Sequence, residues 1–357
     1  MTNSKRIKVG FIGAGNMGQA AHLRNYIGLS AECEVVALAE LRGDLRKEVA
    51  ARYGIARTYE SGAQLLEAEQ LDAVVAAQPF WRHGVLLPEL AKAKLPLFSE
   101  KPLAASVQTG EKIVKSLEEN GTWLMLAYHK RSDLATEYAK KEIAALKQSE
   151  ELGKLRYIRI TMPPGDWVAG GFNDLVEGSG NREALKNLES DPVPPDMEAS
   201  VYAEYGAFVN YYIHQVNLLR FLLGESYKVS YADPAKVLLV AHSLSGIPCT
   251  IEMQPYSTTL DWQETALVAF DKGYVKVTLP SPLAYNRPGQ VEIFKDSNNG
   301  EAPRLIQPQL PWVHAMRNQA LNFIKAVRGE APAPCLAPEA LEDLKIAREY
   351  IRLLKGV

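Results

Sequence analysis

Residues 7–18, IKVGFIGAGNMG, constrain what this chain can fold into more than any other stretch. The β-branched run 7–12 reads as a short buried strand of a parallel sheet. It ends in Gly13, Ala14, Gly15, Asn16, Met17 and Gly18, a GxGxxG spacing that leads into a helix predicted over 19–28. Each glycine answers a separate demand. The first permits a tight turn, the second lets backbone approach a diphosphate, and the third lets helix pack closely on strand. The start of the helix then offers free N–H groups to an anion. A second strand, predicted over 34–39, ends at Glu40, roughly 20 residues further on, where a carboxylate takes a ribose 2′-hydroxyl and repels a 2′-phosphate. That favours NAD over NADP as the cofactor, with Arg42 left as a possible partner for a 2′-phosphate.

The same alternation continues to about residue 127. Helices are expected over 43–53, 64–69, 84–93 and 109–120, and strands over 71–77, from 96 to 99, and over 122–127. Strand and helix in turn imply parallel βαβ units and a doubly wound sheet. Ligands of such sheets lie beyond the carboxyl ends of the strands. The segments of interest are therefore Gln78-Pro79-Phe80-Trp81-Arg82-His83, Glu100-Lys101-Pro102 and Tyr128-His129-Lys130-Arg131.

Beyond about residue 130 the pattern changes to half-exposed alternation, over 154–162, 236–243, 248–254, 264–271, 274–279 and 290–295. Many short strands in succession predict a mostly antiparallel sheet with one face free for substrate or a second subunit. The 357 residues are too many for one ordinary core, so two domains are expected, 1–128 and 129–357. Hydrophobic residues at 47% and a net charge of −2 fit a globular protein and give no basic surface for nucleic acid. Cys33, Cys249 and Cys335 are too scattered for a disulfide framework, and neither Cys nor His shows metal-ligand spacing. No signal-peptide core or membrane-length apolar run is seen, so the expected location is the cytoplasm and no membrane partner is expected.

A helix expected over 208–223, FVNYYIHQVNLLRFLL, is apolar apart from Asn210, His214 and Asn217, which recur at i, i+4 and i+7 and so share one face. Such a stripe on a buried helix needs hydrogen-bonding partners, and a polyol supplies them. His214 titrates near neutrality and suits proton exchange with a hydroxyl. The loop-rich stretch 163–205 is long enough to be functional, and in it Trp167 offers a face for a sugar ring while Asp166 and Asn173 offer hydrogen bonds.

GAGNMG, the Pro79…His83 pair, Glu100-Lys101-Pro102 and the Tyr128…Arg131 element occur in an order that resembles the Gfo/Idh/MocA family of sugar and cyclitol oxidoreductases. The resemblance runs through the His214 helix to the closing helices expected over 315–328 and 338–354. It implies a Rossmann domain followed by an α/β domain with a large open sheet, and a homo-oligomer, a dimer or tetramer. Its implied chemistry is NAD(P)-dependent oxidation or reduction of a ring hydroxyl of a small carbohydrate. Lys101, at a strand's carboxyl end, is placed to stabilise the developing alkoxide, and Pro102 biases it towards extended backbone. Gln78, Pro79, His83, Glu100 and Lys101 are then expected around the cofactor. Tyr128, Arg131, Asp166, Trp167, Asn210 and His214 are expected around substrate. Many members place acids where this chain has Asn210 and Asn217, which leaves the acid/base open between His214 and the phenols of Tyr211 and Tyr212. Two other activities stay in view: NAD-dependent glycoside cleavage by transient oxidation at C3, and a nonenzymatic NAD sensor.

Overall fold

The computed structural model describes residues 5–297 and 300–356. The amino-terminal half begins with strand β1 (Ile7–Ile12), a π-helical turn over Gly18–Leu23 and the short helix α1 (Arg24–Gly28). It continues through β2 (Cys33–Ala39), α2 (Gly43–Tyr53), β3 (Arg57–Tyr59), α3 (Gly62–Ala68), β4 (Ala73–Ala76), α4 (His83–Ala91), β5 (Leu97–Ser99), α5 (Val107–Asn120) and β6 (Leu124–Leu126). The six strands pair in parallel in the order β3-β2-β1-β4-β5-β6. That is the doubly wound order whose reversal between β1 and β4 opens a ligand crevice. Every residue of β4, β5 and β6 is buried, as expected of strands covered by helices on both faces.

The second sheet follows α6 (Leu134–Ser149), which the sequence reading did not anticipate. Its strands are β7 (Leu155–Thr161), β8 (Tyr227–Ala232), β9 (Leu238–Ser243), β10 (Pro248–Glu252), β11 (Glu264–Phe270), β12 (Gly273–Leu279), β13 (Gln290–Lys295) and β14 (Arg304–Ile306). The helices α7 (Ala199–Tyr211) and α8 (Ile213–Leu223) lie between β7 and β8 in sequence, and α9 (Ala315–Val327) and α10 (Ala337–Lys355) follow β14. The sheet order is β14-β13-β12-β11-β7-β10-β9-β8. Pairing is antiparallel throughout except between β7 and β10. Ala266, Val268 and Phe270 of β11 are buried while Thr265, Leu267 and Ala269 are half-exposed, so one face carries the helices and the other stays open. Helix α6 packs on β12 and β13, and α8 packs on β7 and β10.

Contacts divide the chain into two compact units. The first comprises Met1–Tyr128 with Gly171–Met197 and Gln319–Leu344, and the second comprises His129–Gly170, Glu198–Asn318 and Lys345–Val357. Much of the loop-rich stretch therefore folds with the parallel sheet, as does the Phe323 end of α9. Phe323 is fully buried and sits 5.5 Å from Phe98, 5.8 Å from Trp123 and 6.4 Å from Tyr26, centre to centre.

Candidate active site

In the first unit the glycine loop meets its three steric demands. Gly13 has φ +94°, and a Cβ there would stand 2.3 Å from the Ala77 carbonyl oxygen. A Cβ on Gly18 would stand 2.3 Å from the oxygen of Gly13, so helix and strand approach closely only because none is present. At Gly15 the nearest atom is Arg42 Nη2 at 3.8 Å, which leaves the outer side of the loop clear for a diphosphate. Asn16 is exposed beside it and Met17 half-buried. A dinucleotide fits this cradle.

Glu40 follows β2 as expected and is buried. Its Oε2 accepts a hydrogen bond from the Ala14 amide at 2.8 Å, and its Oε1 accepts from Arg42 Nε at 2.8 Å and from the Arg42 amide at 3.1 Å. Burial alone would push this carboxyl up, but Arg42 and the two backbone donors outweigh it and hold the group below its usual range. Glu40 and Arg42 are thus one ion pair, and neither selects a ribose independently of the other.

Gln78 and Pro79 follow β4. Pro79 is exposed, and the Gln78 amide lies on the Gly13 side of the loop. His83, anticipated beside the cofactor, is fully buried instead. Its Nδ1 lies 3.1 Å from the Leu103 oxygen and its Nε2 lies 3.2 Å from the Gln78 oxygen. Burial lowers its pKa, and a neutral ring donates to only one of these carbonyls. It staples the loop after β4 to the segment after β5. Glu100 has a partner that sequence reasoning missed. His22 Nε2, buried in the π-helical turn, lies 2.5 Å from Glu100 Oε1. Burial raises the Glu100 carboxyl, but the His22 bond, the charges of His22 and Lys101, and the Lys101 amide together bring it below its usual range. The sequence signal is a histidine three residues after Gln19 in the first turns that follow the glycine loop. Lys101 is half-buried, and its bond to Pro102 is cis.

In the second unit the expected single helix is two. Helix α7 ends at Tyr211 and α8 begins at Ile213, with Tyr212 at φ −90°, ψ −2° between them and its hydroxyl donating to the Met253 oxygen at 2.7 Å. The polar stripe is broken by this step. Asn210 is exposed and His214 half-buried, whereas Asn217 is buried, its Oδ1 accepting from Arg131 Nε at 2.7 Å. Arg131 is itself buried, with its guanidinium carbon 4.8 Å from the centre of the Phe221 ring. Tyr128 is likewise buried, at 1% exposure. The carboxylate of Asp166 is turned onto its own loop, accepting from the amides of Val168 at 2.9 Å and Ala169 at 3.0 Å. Trp167 is half-buried, its carbonyl accepting from the Leu283 amide at 3.3 Å.

His214 is paired with His129, from the segment after β6 that the sequence marks as of interest. The ring of His129 meets it edge-to-face, 4.7 Å between centres and 69° between planes. Tyr211 lines a cavity of about 340 Å³ with Phe208, Tyr212, Met253 and Tyr350, and its pKa is raised by burial and then by the charge of Glu264. Behind these groups lies a buried charge cluster. Lys130 Nζ lies 2.5 Å from Glu264 Oε2, Trp262 Nε1 donates to the same oxygen at 3.1 Å, and Gln215 Nε2 donates to Oε1 at 2.7 Å. No spacing rule links residues so far apart in sequence. Among the described residues no group of three or more His, Cys, Asp or Glu could hold a metal ion, and no helix is long and apolar enough to cross a membrane.

The sheet order and the glycine geometry place the first unit among the NAD-binding Rossmann domains of oxidoreductases. Comparison with known proteins narrows that class. Residues 7–128 match the family model described as "Oxidoreductase family, NAD-binding Rossmann fold", that of the Gfo/Idh/MocA proteins. The chain is 23% identical over 355 residues to the rhizopine catabolism protein MocA of Rhizobium meliloti, covering 98% of this chain and 95% of that one. It is 22% identical over 227 residues to the myo-inositol 2-dehydrogenase of Thermotoga maritima, covering 64% and 58%. The WlbA dehydrogenase of Bordetella pertussis, solved with NADH and UDP-GlcNAcA, shares the fold with a TM-score of 0.70 at 20% identity, over 100% of this chain and 98% of that one. Residues 7–128 are therefore an NAD-binding Rossmann domain of the oxidoreductase type, and the chain as a whole is similar to proteins of the Gfo/Idh/MocA group.

Proposed function

We propose that this protein is an NAD-dependent dehydrogenase that interconverts a ring hydroxyl and a ketone of a sugar or cyclitol. The observation that carries the reading is the Glu100–Lys101 element at the carboxyl end of β5, where Glu100 is fixed by His22 and the lysine is left half-buried. When bound, NAD supplies the hydride acceptor. The ammonium of Lys101 hydrogen-bonds the reacting oxygen and stabilises it as charge develops. In the second unit His214, with His129 packed against its ring, is the candidate for exchange of the substrate proton. The phenol of Tyr211, its pKa raised, stays protonated at neutral pH and acts as a donor rather than a base. Exposed Asn210 and the face of Trp167 orient the polyol. Gly13, Gly15, Asn16, Met17 and Gly18, with Glu40 and Arg42, Gln78 and Pro79, hold the dinucleotide. The inositol dehydrogenases among the relatives support a polyol substrate. The open face of the eight-stranded sheet suits a second copy of the chain, and a cytoplasmic homo-oligomer completes the reading.

The test is to incubate the protein with NAD and a panel of cyclitols, free sugars and glycosides, following NADH absorbance and released aglycone together. NADH formed in step with substrate loss supports the dehydrogenase. Aglycone release that requires NAD yet leaves no net NADH overturns it in favour of redox-assisted glycoside cleavage.

A further inference from the structure

We propose that the segment 171–197 is a strap that keeps the bound dinucleotide captive between turnovers. The inference rests on the NAD site described above and adds a property to it, slow exchange of the cofactor. The strap leaves the second unit in sequence at Gly170, and its compact contacts are with the first unit. It grips the loops at the carboxyl ends of three strands of the parallel sheet, the end at which ligands of such sheets lie.

After β1 the hold is reciprocal. Gln19 Nε2 donates to the Val176 oxygen at 2.9 Å, and the Val176 amide donates to Gln19 Oε1 at 3.0 Å. The same Gln19 nitrogen donates to the Ala14 oxygen at 2.8 Å, so one amide joins the strap to the glycine loop itself. After β2 the carboxylate of Asp44 accepts from the Ser179 amide at 2.6 Å and also from the Ser179 hydroxyl. Further along α2, Arg52 donates to the Asp174 oxygen. Gly178 lies flat on this corner, with φ +65° and room for a Cβ only 3.0 Å from Asp44 Oδ2. After β4 the Asp191 amide donates to the Trp81 oxygen at 2.6 Å, and Arg82 Nε donates to the Glu189 oxygen at 2.8 Å. The carboxylate of Asp191 accepts from the Gly84 amide at 3.2 Å, in the first turn of α4.

A surface loop with a mere connecting role has no reason to place paired and charge-assisted bonds at each of three adjacent loops. Several of these bonds must open together for the mouth of the groove to clear. The dinucleotide then behaves as a resident group rather than as a second substrate, and its departure is limited by local opening of the strap.

The experiment loads the full-length protein with NADH, mixes it with excess NAD and follows loss of bound NADH fluorescence. The Arg52→Ala, Ser179→Ala double variant removes two strap bonds from exposed side chains while leaving the glycine loop untouched. It is expected to release NADH about tenfold faster, equivalent to ~1.4 kcal/mol, with the thermal midpoint of the cofactor-free protein unchanged. The single variant Ser179→Ala gives the same comparison should the double variant fold poorly. An unchanged release rate in both variants overturns the strap while leaving the NAD site standing. So does a wild-type protein that releases NADH faster than it turns over. Absence of NADH binding to the wild type overturns the site and the strap together.

Discussion

Substitution of Glu264 by glutamine tests whether the buried cluster in the second unit is held together by charge. Glu264 is 0% exposed and Lys130 is 4% exposed, and three donors converge on the one carboxylate. Glutamine keeps the shape but offers one acceptor oxygen, so its amide group must face either Gln215 or the Lys130–Trp262 side. The ammonium of Lys130 loses its ion-pair partner in the interior and keeps only the weaker pull of the Asp133 carboxylate. Breaking a buried pair from one side costs about 3–5 kcal/mol. For a unit of this size each kcal/mol moves the midpoint by roughly 2–4 °C, so the expected loss is about 6–20 °C. Lys130→Met strands the opposite charge, yet leaves Glu264 two N–H donors, and should cost less. The double variant carries neither charge and should regain about 2 kcal/mol or more over the sum of the singles. Differential scanning calorimetry and urea unfolding followed by circular dichroism read these values. A Glu264→Gln midpoint within about 2 °C of wild type, or strict additivity in the double variant, would refute the reasoning.

Other outcomes follow from the same geometry. Gly13→Ala forces a Cβ against the Ala77 backbone at positive φ and is expected to weaken NADH binding by at least about tenfold in a fluorescence titration. Lys101→Met should lower kcat by about 10²-fold or more while changing NADH affinity by less than tenfold, as steady-state kinetics beside the same titration will show. Glu40→Ser frees Arg42 from its ion pair and should shift the ratio of kcat/KM values from NAD towards NADP. Asp133, which caps α6 and accepts from the Gly289 and Ala135 amides, is pushed up to about 6 by burial against the pull of those donors. Its native form holds the proton more tightly than the unfolded chain does, so its contribution favours folding on the acid side and is lost as pH rises through about 4 to 6. Asp133→Asn should flatten that part of the stability–pH curve, by an amount on the order of 3 kcal/mol, measured by urea unfolding across the window.

The parallel half was legible because its signals are local. The residues 7–18 carry a strand, a turn and a helix start within one βαβ unit, and Glu40 falls where the next strand must end. The edges of these elements lie within two residues of their expected places, and in the first turn of α4, which begins at His83, the Gly84 amide donates to the Asp191 carboxylate. The candidate site was less legible, for physical reasons. Helical spacing placed Asn210, His214 and Asn217 on one face, but the anchored hydroxyl of Tyr212 marks a break that no proline or glycine announces. Arg131 read as a cation for substrate because its partners, Asn217 and Phe221, are more than eighty positions away. His83 and Asp166 bear polar groups that backbone atoms satisfy, and a sequence does not show which polar groups the main chain will claim. Helix α6 escaped notice although Asp133, with its side chain accepting from Ala135, is an ordinary N-cap.

The return of residues 319–344 to the first unit has a consequence for how the protein is made. The aromatic centre of that unit, Tyr26, Phe98 and Trp123, is closed by Phe323, which a ribosome adds only after the whole of the eight-stranded sheet. Arg328 ties the same region back to Glu32 at 2.6 Å. An emerging amino-terminal half therefore presents an uncapped apolar surface through most of synthesis. The dinucleotide unit, whose parallel sheet precedes the eight-stranded one in the chain, is closed only after that second sheet has been made.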